Sequence, residues 1–307
     1  MMRSAMQRQN GVAVVMAILI VALAAMVASA LMWEQNLWLR QVQNEQDLAQ
    51  AQVIALAGTN WAAAILNSMP RNVDYSQQTW AQQLPPLPVE GGEISGFIED
   101  QQGLFNLNNL VNKGKTDQHQ KAKFERLLQI LGIPVDLGNA LADWMDDDNE
   151  IQGPGGAEDG YYLSLPHPYR AANRMLTEVG DLASVRGFDN SIVERLRPFV
   201  TVLPKVTPVD VNTAPPEVLL AMVNGMTLPE ARALVALRDQ NHFNSISDFR
   251  TALPRIELTV TDSDFSVASQ FFLVTIKTRF GRAKTIVWTL LDRESNLWPS
   301  TVWQKSL

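Results

Sequence analysis

An uncharged apolar run from Val12 to Trp33 constrains this chain more than any other feature of its sequence. A helix of about 21 residues, rising about 1.5 Å per residue, spans roughly 31 Å and matches the hydrocarbon thickness of a bilayer. The run therefore either crosses a membrane or is removed as a signal. Arg3 and Arg8 precede it, and this basic flank places the N-terminus in the cytoplasm and the rest of the chain outside.

Three interpretations of residues 1–33 are open. A cleaved secretory signal fits the basic flank, an apolar region over 12–27 and the small residues 28–30, although the apolar run is long for a signal. A simple signal anchor fits the same residues. The third interpretation takes Gly11, immediately before the run, as the end of a leader.

The helical pattern continues beyond Trp33. Apolar and small residues recur at spacings of three and four as far as Leu66, and Pro70 ends the pattern, so one helix is predicted from Val12 to about Ser68. This arrangement resembles the N-terminus of type IV pilins and pseudopilins. The resemblance implies that a prepilin peptidase removes residues 1–11, that Val12 becomes the first residue, and that residues 12–33 form the transmembrane part.

One residue departs from the pilin pattern. Members of that family usually carry a glutamate at the fifth mature position, and this position is Met16. In the family the glutamate is thought to meet a neighbouring subunit's N-terminal amine during assembly, because a lone charge in a bilayer is costly. A subunit without it need not be added beneath an existing one.

Composition excludes several classes of function. The chain of 307 residues has no cysteine, so disulfides, thiolate metal sites and thiol nucleophiles are impossible, and its three histidines lie far apart. A formal net charge of −7 opposes the binding of a polyanion through a general field. Because no base–nucleophile constellation accompanies the acidic residues, we predict that the protein is not an enzyme.

Two separated regions predict β-strands. Residues 93–99 alternate, 100–103 make a turn, and 104–107 are predicted to return as a second strand. Near the other end, 270–280 and 283–292 flank Gly281-Arg282 and predict an antiparallel hairpin. The polar, proline-rich stretch 70–88 predicts a surface connection.

These elements predict an α+β fold in which a long pilin-like N-terminal helix packs on an antiparallel sheet. Residues 34–110 would supply the periplasmic helix and the first strands, and residues 265–307 the last strands. Between them, residues 111–264 form a predicted helical insertion.

The insertion contains two similar units that lie about 100 residues apart in the sequence. The polar cluster Asn106–Asn109 is echoed by Asp210–Thr213, and each is followed by a helical pattern, a glycine turn at Gly132 or Gly225, and a second helix. The repeat predicts two helix-hairpin-helix-like units.

Hairpins of this kind in DNA-binding proteins point backbone amides at phosphates and need basic residues nearby. The first hairpin has no basic residue and carries Asp136, whereas the second carries Glu230 with Arg232 beyond it. We therefore favour a helical packing module without nucleic-acid binding. The alternative is a membrane-anchored extracytoplasmic DNA-binding protein.

An acidic loop distinguishes the first unit from the second, with no Lys or Arg between Trp144 and Tyr169. Its carboxylates repel one another unless a cation neutralises them, and calcium takes oxygens from flexible loops of this kind. The glycines of 153–156 let Glu158 approach Asp146 and Asp148, and Tyr161-Tyr162 suggests a loop that is folded down. We predict a metal site, with a solvated acidic loop as the alternative; magnesium and zinc suit these residues less well than calcium.

The leader junction at Gly11, Met16, the duplicated insertion and the acidic run 143–148 followed by 156–159 together resemble the minor pseudopilin K family of the type II secretion system. The resemblance implies a single-pass inner-membrane protein with a cytoplasmic N-terminus and a periplasmic bulk, processed and N-methylated by the prepilin peptidase. It implies a place at the pseudopilus tip with minor pseudopilins I and J. Through them the chain would meet the other pseudopilins. The inner-membrane secretion platform is a further implied partner, and the chain would support export across the outer membrane.

The resemblance also implies a structural calcium ion. The ligands that carry over from the family pattern are Asp146, Asp148, Glu158 and Asp159, with Asp143 and Glu150 as further candidates.

Overall fold

One long helix, α1 (Asn10–Ser68), begins the chain in the computed structural model, which describes residues 10–294 and 298–307. The predicted leader up to residue 9, with Arg3 and Arg8, lies outside the described residues. With 59 residues the helix is about 88 Å long, and it runs without a break through Gly11. In its first half the apolar side chains are exposed, as in Trp33 at 71%. Among the described residues α1 is the one helix long and apolar enough to cross a membrane.

An antiparallel sheet packs against the second half of α1. Its strands are β1 (Leu84–Val89), β2 (Gly92–Asp100), β9 (Phe271–Phe280), β10 (Ala283–Asp292) and β11 (Ser300–Ser306), which lie in the order β1-β2-β9-β10-β11. Ala55, Ala62 and Leu66 of α1 share a core with apolar residues from one face of the sheet. A Cβ at Gly58 would lie 2.8 Å from the Ile94 side chain, so this glycine permits the close approach of helix and sheet. The predicted helix, the hairpin β9–β10 and the α+β fold class are confirmed.

Two local predictions are wrong. The proline-rich stretch predicted as a connection contains β1, an edge strand whose ladder is irregular between Leu84 and Leu87, where Pro85 and Pro86 lie; edge strands and bulges tolerate proline. Residues 104–107 do not return beside β2, because Phe105–Asn106 (β3) pairs in parallel with Val200–Thr201 (β6). Strand β11, which is exposed and polar, carries no clear alternation and was not predicted.

The insertion follows β2 and ends before β9. Its further elements are β4 (Val111–Asn112), β5 (Lys115–Thr116), α2 (Gln118–Ile130), α3 (Leu137–Met145), α4 (Asp159–Tyr162), α5 (Asn190–Leu196), β7 (Val209–Asp210), α6 (Pro216–Met222), α7 (Leu228–Gln240), α8 (Ile246–Thr251) and β8 (Phe265–Ser266). Phe105, Leu107 and Leu110 belong to its core, although the sequence assigns them to the pilin-like part.

The repeat predicted in the insertion corresponds to two helical hairpins. Helices α2 and α3 form the first and α6 and α7 the second, with turns in which Gly132 (φ +64°) and Gly225 (φ +81°) adopt left-handed conformations. Helix α2 packs against α6, and both hairpins contribute to one continuous apolar core. The two units therefore form a single packed body.

Candidate metal centre

The acidic loop begins where α3 ends. Asp146 is the C-cap of α3, and its Oδ2 accepts a hydrogen bond from the Thr116 hydroxyl at 2.8 Å. The Asp147 amide donates to the Gly114 carbonyl at 2.9 Å, so the hairpin β4–β5 holds the start of the loop. Sequence reasoning missed Thr116. The Lys113-Gly114 turn could have indicated the hairpin, but nothing local predicts its contact with a residue 30 positions away.

Three carboxylates converge at this point. One oxygen from each of Asp146, Asp148 and Glu158 lies within 4.8 Å of the others. Asp146 and Glu158 are 1% and 5% exposed, whereas Asp148 is exposed and its Oδ1 accepts a hydrogen bond from the Glu150 amide. The chain reversal predicted from the glycines thus brings Glu158 to the two aspartates.

The buried oxygens of this cluster lack donors. Neither carboxylate oxygen of Glu158 accepts a hydrogen bond from the described residues, and Asp146 Oδ1 accepts none either. Burial, followed by the charges of the neighbouring aspartates, raises the pKa of Glu158 to about 7. Burial likewise raises the pKa of Asp146. Carboxylates held in this way are costly unless a cation or a proton neutralises them.

Asp143 of α3 holds the loop through contacts with Gln152 and Gly156. It is fully buried in α3, and its carboxylate accepts a hydrogen bond from the Gln152 amide at 3.1 Å. Burial raises its pKa to about 6 despite this bond. A Cβ at Gly156 would lie 2.4 Å from Asp143 Oδ2, so only glycine lets the loop pass this close.

Asp143, Asp159 and Glu150, also predicted as ligands, lie outside the three-carboxylate cluster. Asp159 Oδ1 accepts a hydrogen bond from the Ala171 amide at 3.0 Å, and its other oxygen faces Arg170 at 3.6 Å. Glu150 is exposed. The structure does not bring either side chain together with Asp146, Asp148 and Glu158.

Aromatic residues cover the loop, as the pair Tyr161-Tyr162 suggested. Tyr162 is fully buried and lies edge-on to Trp144 at 4.9 Å between ring centroids. Arg186 lies over the Tyr161 ring and donates to the Gly156 carbonyl at 2.9 Å. Arg186 was not identified from the sequence, since it lies 30 positions away from Gly156. These contacts hold the loop down on α3.

The donor set of this cluster fits a hard divalent cation. It consists of carboxylate oxygens within 4.8 Å of one another. Both Glu158 oxygens and Asp146 Oδ1 are buried without donors, and a bound cation stabilises such an arrangement. Calcium accommodates irregular oxygen geometry better than magnesium does.

Carbonyl groups at the turns of the two helical hairpins accept hydrogen bonds from arginines of the same chain. The Arg195 guanidinium donates to the Leu131 and Gly132 carbonyls of the first hairpin. Arg255 donates to the Gly225 carbonyl of the second and pairs with Glu230. Because these arginines serve packing, the hairpins resemble structural joints more than phosphate sites.

Known proteins are similar to this chain over most of its length. Two domain models of "Type II secretion system (T2SS), protein K" match residues 103–205 and 209–268. The chain belongs to the type II secretion system protein K family. Type II secretion system protein K of Pseudomonas aeruginosa is 34% identical, over 93% of this chain and 89% of that protein. The Klebsiella pneumoniae protein is 33% identical over 94% and 93%. The family predicted from the sequence is confirmed.

A solved structure supports the fold. The complex of GspK, GspI and GspJ from the enterotoxigenic Escherichia coli type 2 secretion system contains a chain that matches with a TM-score of 0.69. The match has 23% sequence identity and covers 92% of this chain and 99% of that chain. The long helix, sheet and helical insertion are therefore an arrangement that also occurs in a protein of this secretion system. No comparison supports the DNA-binding alternative.

Proposed function

We propose that this chain, as a minor pseudopilin, forms the tip of the periplasmic pseudopilus with other minor pseudopilins and supports protein export across the outer membrane. The role is structural and not catalytic. The observation that carries the proposal is α1, whose exposed apolar half continues without a break into a half buried by the sheet. A membrane anchor and a stiff stalk are thus one element.

The end of the sheet that holds the insertion supports a place at the tip. The turn between β9 and β10 approaches α1 at Asp47, since a Cβ on Gly281 would lie 2.2 Å from the Asp47 carboxylate. At the other end of the sheet, Arg293 reaches the Leu66 carbonyl of α1 at 3.5 Å. Asp47 precedes Leu66 by 19 residues, or about 28 Å of helix, so the second end lies farther from the membrane. The insertion joins that distal end and would obstruct a subunit stacked above it.

We place the chain in the inner membrane with its N-terminus in the cytoplasm and its bulk in the periplasm. Arg3 and Arg8 support this orientation. Trp33 and Asp47, where the turn between β9 and β10 approaches α1, are 14 positions apart, so the head would begin about 21 Å beyond the bilayer. Cleavage after Gly11 and N-methylation of Val12 by the prepilin peptidase belong to the same proposal.

Minor pseudopilins I and J are the partners we propose, and through them the other pseudopilins; the inner-membrane platform is a further proposed partner. The similarity to a chain of the GspK–GspI–GspJ complex supports this choice. Val53, Leu56 and Trp61 are exposed by 65%, 47% and 51% on the part of α1 beyond the predicted span. Exposed apolar side chains on a helix fit packing against partner helices.

We further propose that calcium is a structural part of the head. Asp146, Asp148 and Glu158 would hold the ion, and Asp143 would hold the loop beneath it. When bound, calcium supplies the positive charge that the buried oxygens of Asp146 and Glu158 otherwise lack. The Asp159 side chain, which accepts from the Ala171 amide, and the Glu150 backbone amide, which donates to Asp148, would hold the shape of the loop.

Cysteine cross-linking tests the proposed assembly. The chain has no cysteine, so Leu56→Cys creates its single thiol. In membranes that contain minor pseudopilins I and J with one cysteine each in their stalk helices, we expect a cross-link and normal secretion of an exoprotein. Leu237→Cys, similarly exposed on α7, is the control and should give no cross-link. A Leu56→Cys chain that cross-links to neither partner at any helix position would contradict the proposal.

A further inference from the structure

Buried carboxylates join the insertion to the distal end of the sheet. Asp100 ends β2 and Ser269 precedes β9, so both belong to the sheet side. Asp210 ends β7, and Thr213 lies just before α6, so both belong to the insertion. Asp210 has no exposed surface, Ser269 is 3% exposed and Asp100 is 9% exposed.

The hydrogen bonds across this joint require more protons than its hydroxyls provide. Asp100 Oδ2 lies 2.5 Å from the Thr213 hydroxyl and 2.7 Å from the Ser269 hydroxyl. The Ser269 hydroxyl also lies 3.1 Å from Asp210 Oδ2. Each hydroxyl donates one proton, so two protons serve three oxygen–oxygen contacts. The third contact is a hydrogen bond only if a carboxyl group carries a proton.

The surroundings indicate which carboxyl carries it. Both hydroxyls and the Gln102 amide can donate to Asp100. Asp210 receives the Asn212 amide on Oδ1, so a protonated Asp210 Oδ2 can donate to Ser269. The hydroxyl of Ser269 then donates to Asp100, and every contact is satisfied.

The nearby charged groups have other partners. Asp74, from the segment after α1, is paired with Arg293, which follows β10, at 2.6 Å. Arg238 of α7 donates to the Val211 and Ala214 carbonyls at 2.7 and 2.5 Å, and it faces Asp239 at 3.5 Å. None of these contacts neutralises both Asp100 and Asp210.

We propose that Asp100 and Asp210 share one proton through Ser269, and that this proton is a latch that fastens the helical insertion to the sheet. Loss of the proton leaves two buried negative charges facing one hydroxyl, which weakens the joint. The head is therefore more rigid at mildly acidic pH than at alkaline pH.

The direction of the pH dependence follows from burial. Burial raises the pKa of Asp100 to about 6, and burial together with the Asp100 charge raises the pKa of Asp210 well above its ordinary range. The folded state therefore holds more protons here than the unfolded state. The contribution of this joint to the free energy of unfolding is therefore largest below the ordinary aspartate pKa, and it falls as pH rises through about 6 and beyond.

The test compares the full chain in detergent micelles with Asp210→Asn, both with excess calcium so that the acidic loop is equally saturated. The asparagine amide can donate to Ser269 at every pH. Between about pH 5 and pH 8.5 we expect the wild-type melting temperature to fall relative to that of the variant. Glu257→Gln, which changes an exposed carboxylate, should follow the wild-type curve. Parallel curves for wild type and Asp210→Asn would overturn the proposal.

If Asp210→Asn does not fold, infrared spectroscopy of the wild-type chain tests for the shared proton directly. A protonated carboxylic acid has a carbonyl band separate from that of carboxylates. With excess calcium, so that the acidic loop is ionised, we expect this band at neutral pH and its loss at alkaline pH, together with faster hydrogen exchange of residues 209–214 after correction for the intrinsic rate. A spectrum without the band at neutral pH would refute the shared proton.

Discussion

Asn108 and Asn212 make the same pair of hydrogen bonds in the two halves of the insertion. The Asn108 side chain donates to the Leu176 carbonyl at 3.0 Å and accepts from the Leu176 amide at 2.9 Å. The Asn212 side chain does the same with Phe243, both distances being 2.9 Å. Each buried asparagine thus ties the start of a helical unit to the segment just before a later short helix, 179–184 in the first half and 246–251 in the second.

We predict that Asn108→Ala and Asn212→Ala each destabilise the fold. Either change leaves a buried amide and carbonyl without partners, which costs about 1–3 kcal/mol for each unsatisfied group. Urea unfolding monitored by tryptophan fluorescence measures the loss. Asn244→Ala removes an exposed side chain and should leave the midpoint unchanged. Equal midpoints for all three variants would contradict the structural role of the asparagines.

The repeat could be predicted because its signals are local. Polar clusters, glycine turns and helical periodicity lie within a few residues of one another, so the sequence predicts both helical hairpins and their equivalence. The pairing of β3 with β6 could not be predicted, because it joins Phe105 and Val200 through two-residue strands that have no alternation.

We predict that calcium stabilises the protein through Asp146, Asp148 and Glu158. A ligand at 100 times its dissociation constant adds about 2.7 kcal/mol to the free energy of unfolding, so millimolar calcium should raise the melting temperature. The double variant Asp146→Ala, Asp148→Ala should lose this shift, and Glu158→Gln should reduce it.

Glu150→Gln is the matched control for the calcium experiment. It removes a charge from the same loop, but the side chain lies outside the three-carboxylate cluster, so the shift should persist. An equal shift in the double alanine variant would show that calcium binds elsewhere.

We predict that the buried ion pair of Asp74 and Arg293 is needed for folding of the pilin-like part. The two side chains are 0% and 1% exposed, and their charged atoms lie 2.6 Å apart. Asp74→Asn should destabilise by about 3–5 kcal/mol, because it leaves a buried guanidinium uncompensated. Differential scanning calorimetry of the wild type and of Asp74→Asn measures this loss of stability.

Glu93 and Arg279 form the exposed counterpart of this pair at 2.9 Å. Because exposed pairs contribute about 0–1 kcal/mol, Glu93→Gln should change stability little. Equal losses of stability in Asp74→Asn and Glu93→Gln would contradict a larger contribution from the buried pair.

We predict that the mature chain begins at Val12. Mass spectrometry of the protein purified from membranes should find this N-terminus with one added methyl group. Gly11→Leu should block cleavage while the apolar run still anchors the chain. A chain that starts at Leu31, or still at Met1 in the presence of the peptidase, would contradict the prepilin interpretation.

Within the acidic loop, sequence reasoning found the residue types and the chain reversal but could not rank the ligands. Asp146 and Asp159 look alike in the sequence, yet one points into the cluster and the other toward the Ala171 amide. That difference depends on the rotamers fixed by Thr116 and Arg170, which are remote or exposed. Spacing therefore predicts a cluster of carboxylates, and packing decides its members.

The prolines of β1 give the sheet one closed edge and one open edge. Pro85, Pro86 and Pro88 have no amide hydrogen, so no strand from another molecule can form a regular ladder along that side. Strand β11 at the opposite edge contains no proline. The two edges of the sheet therefore differ: a strand from another molecule could form a regular ladder beside β11, whereas a neighbour on the β1 side has to bind through side chains.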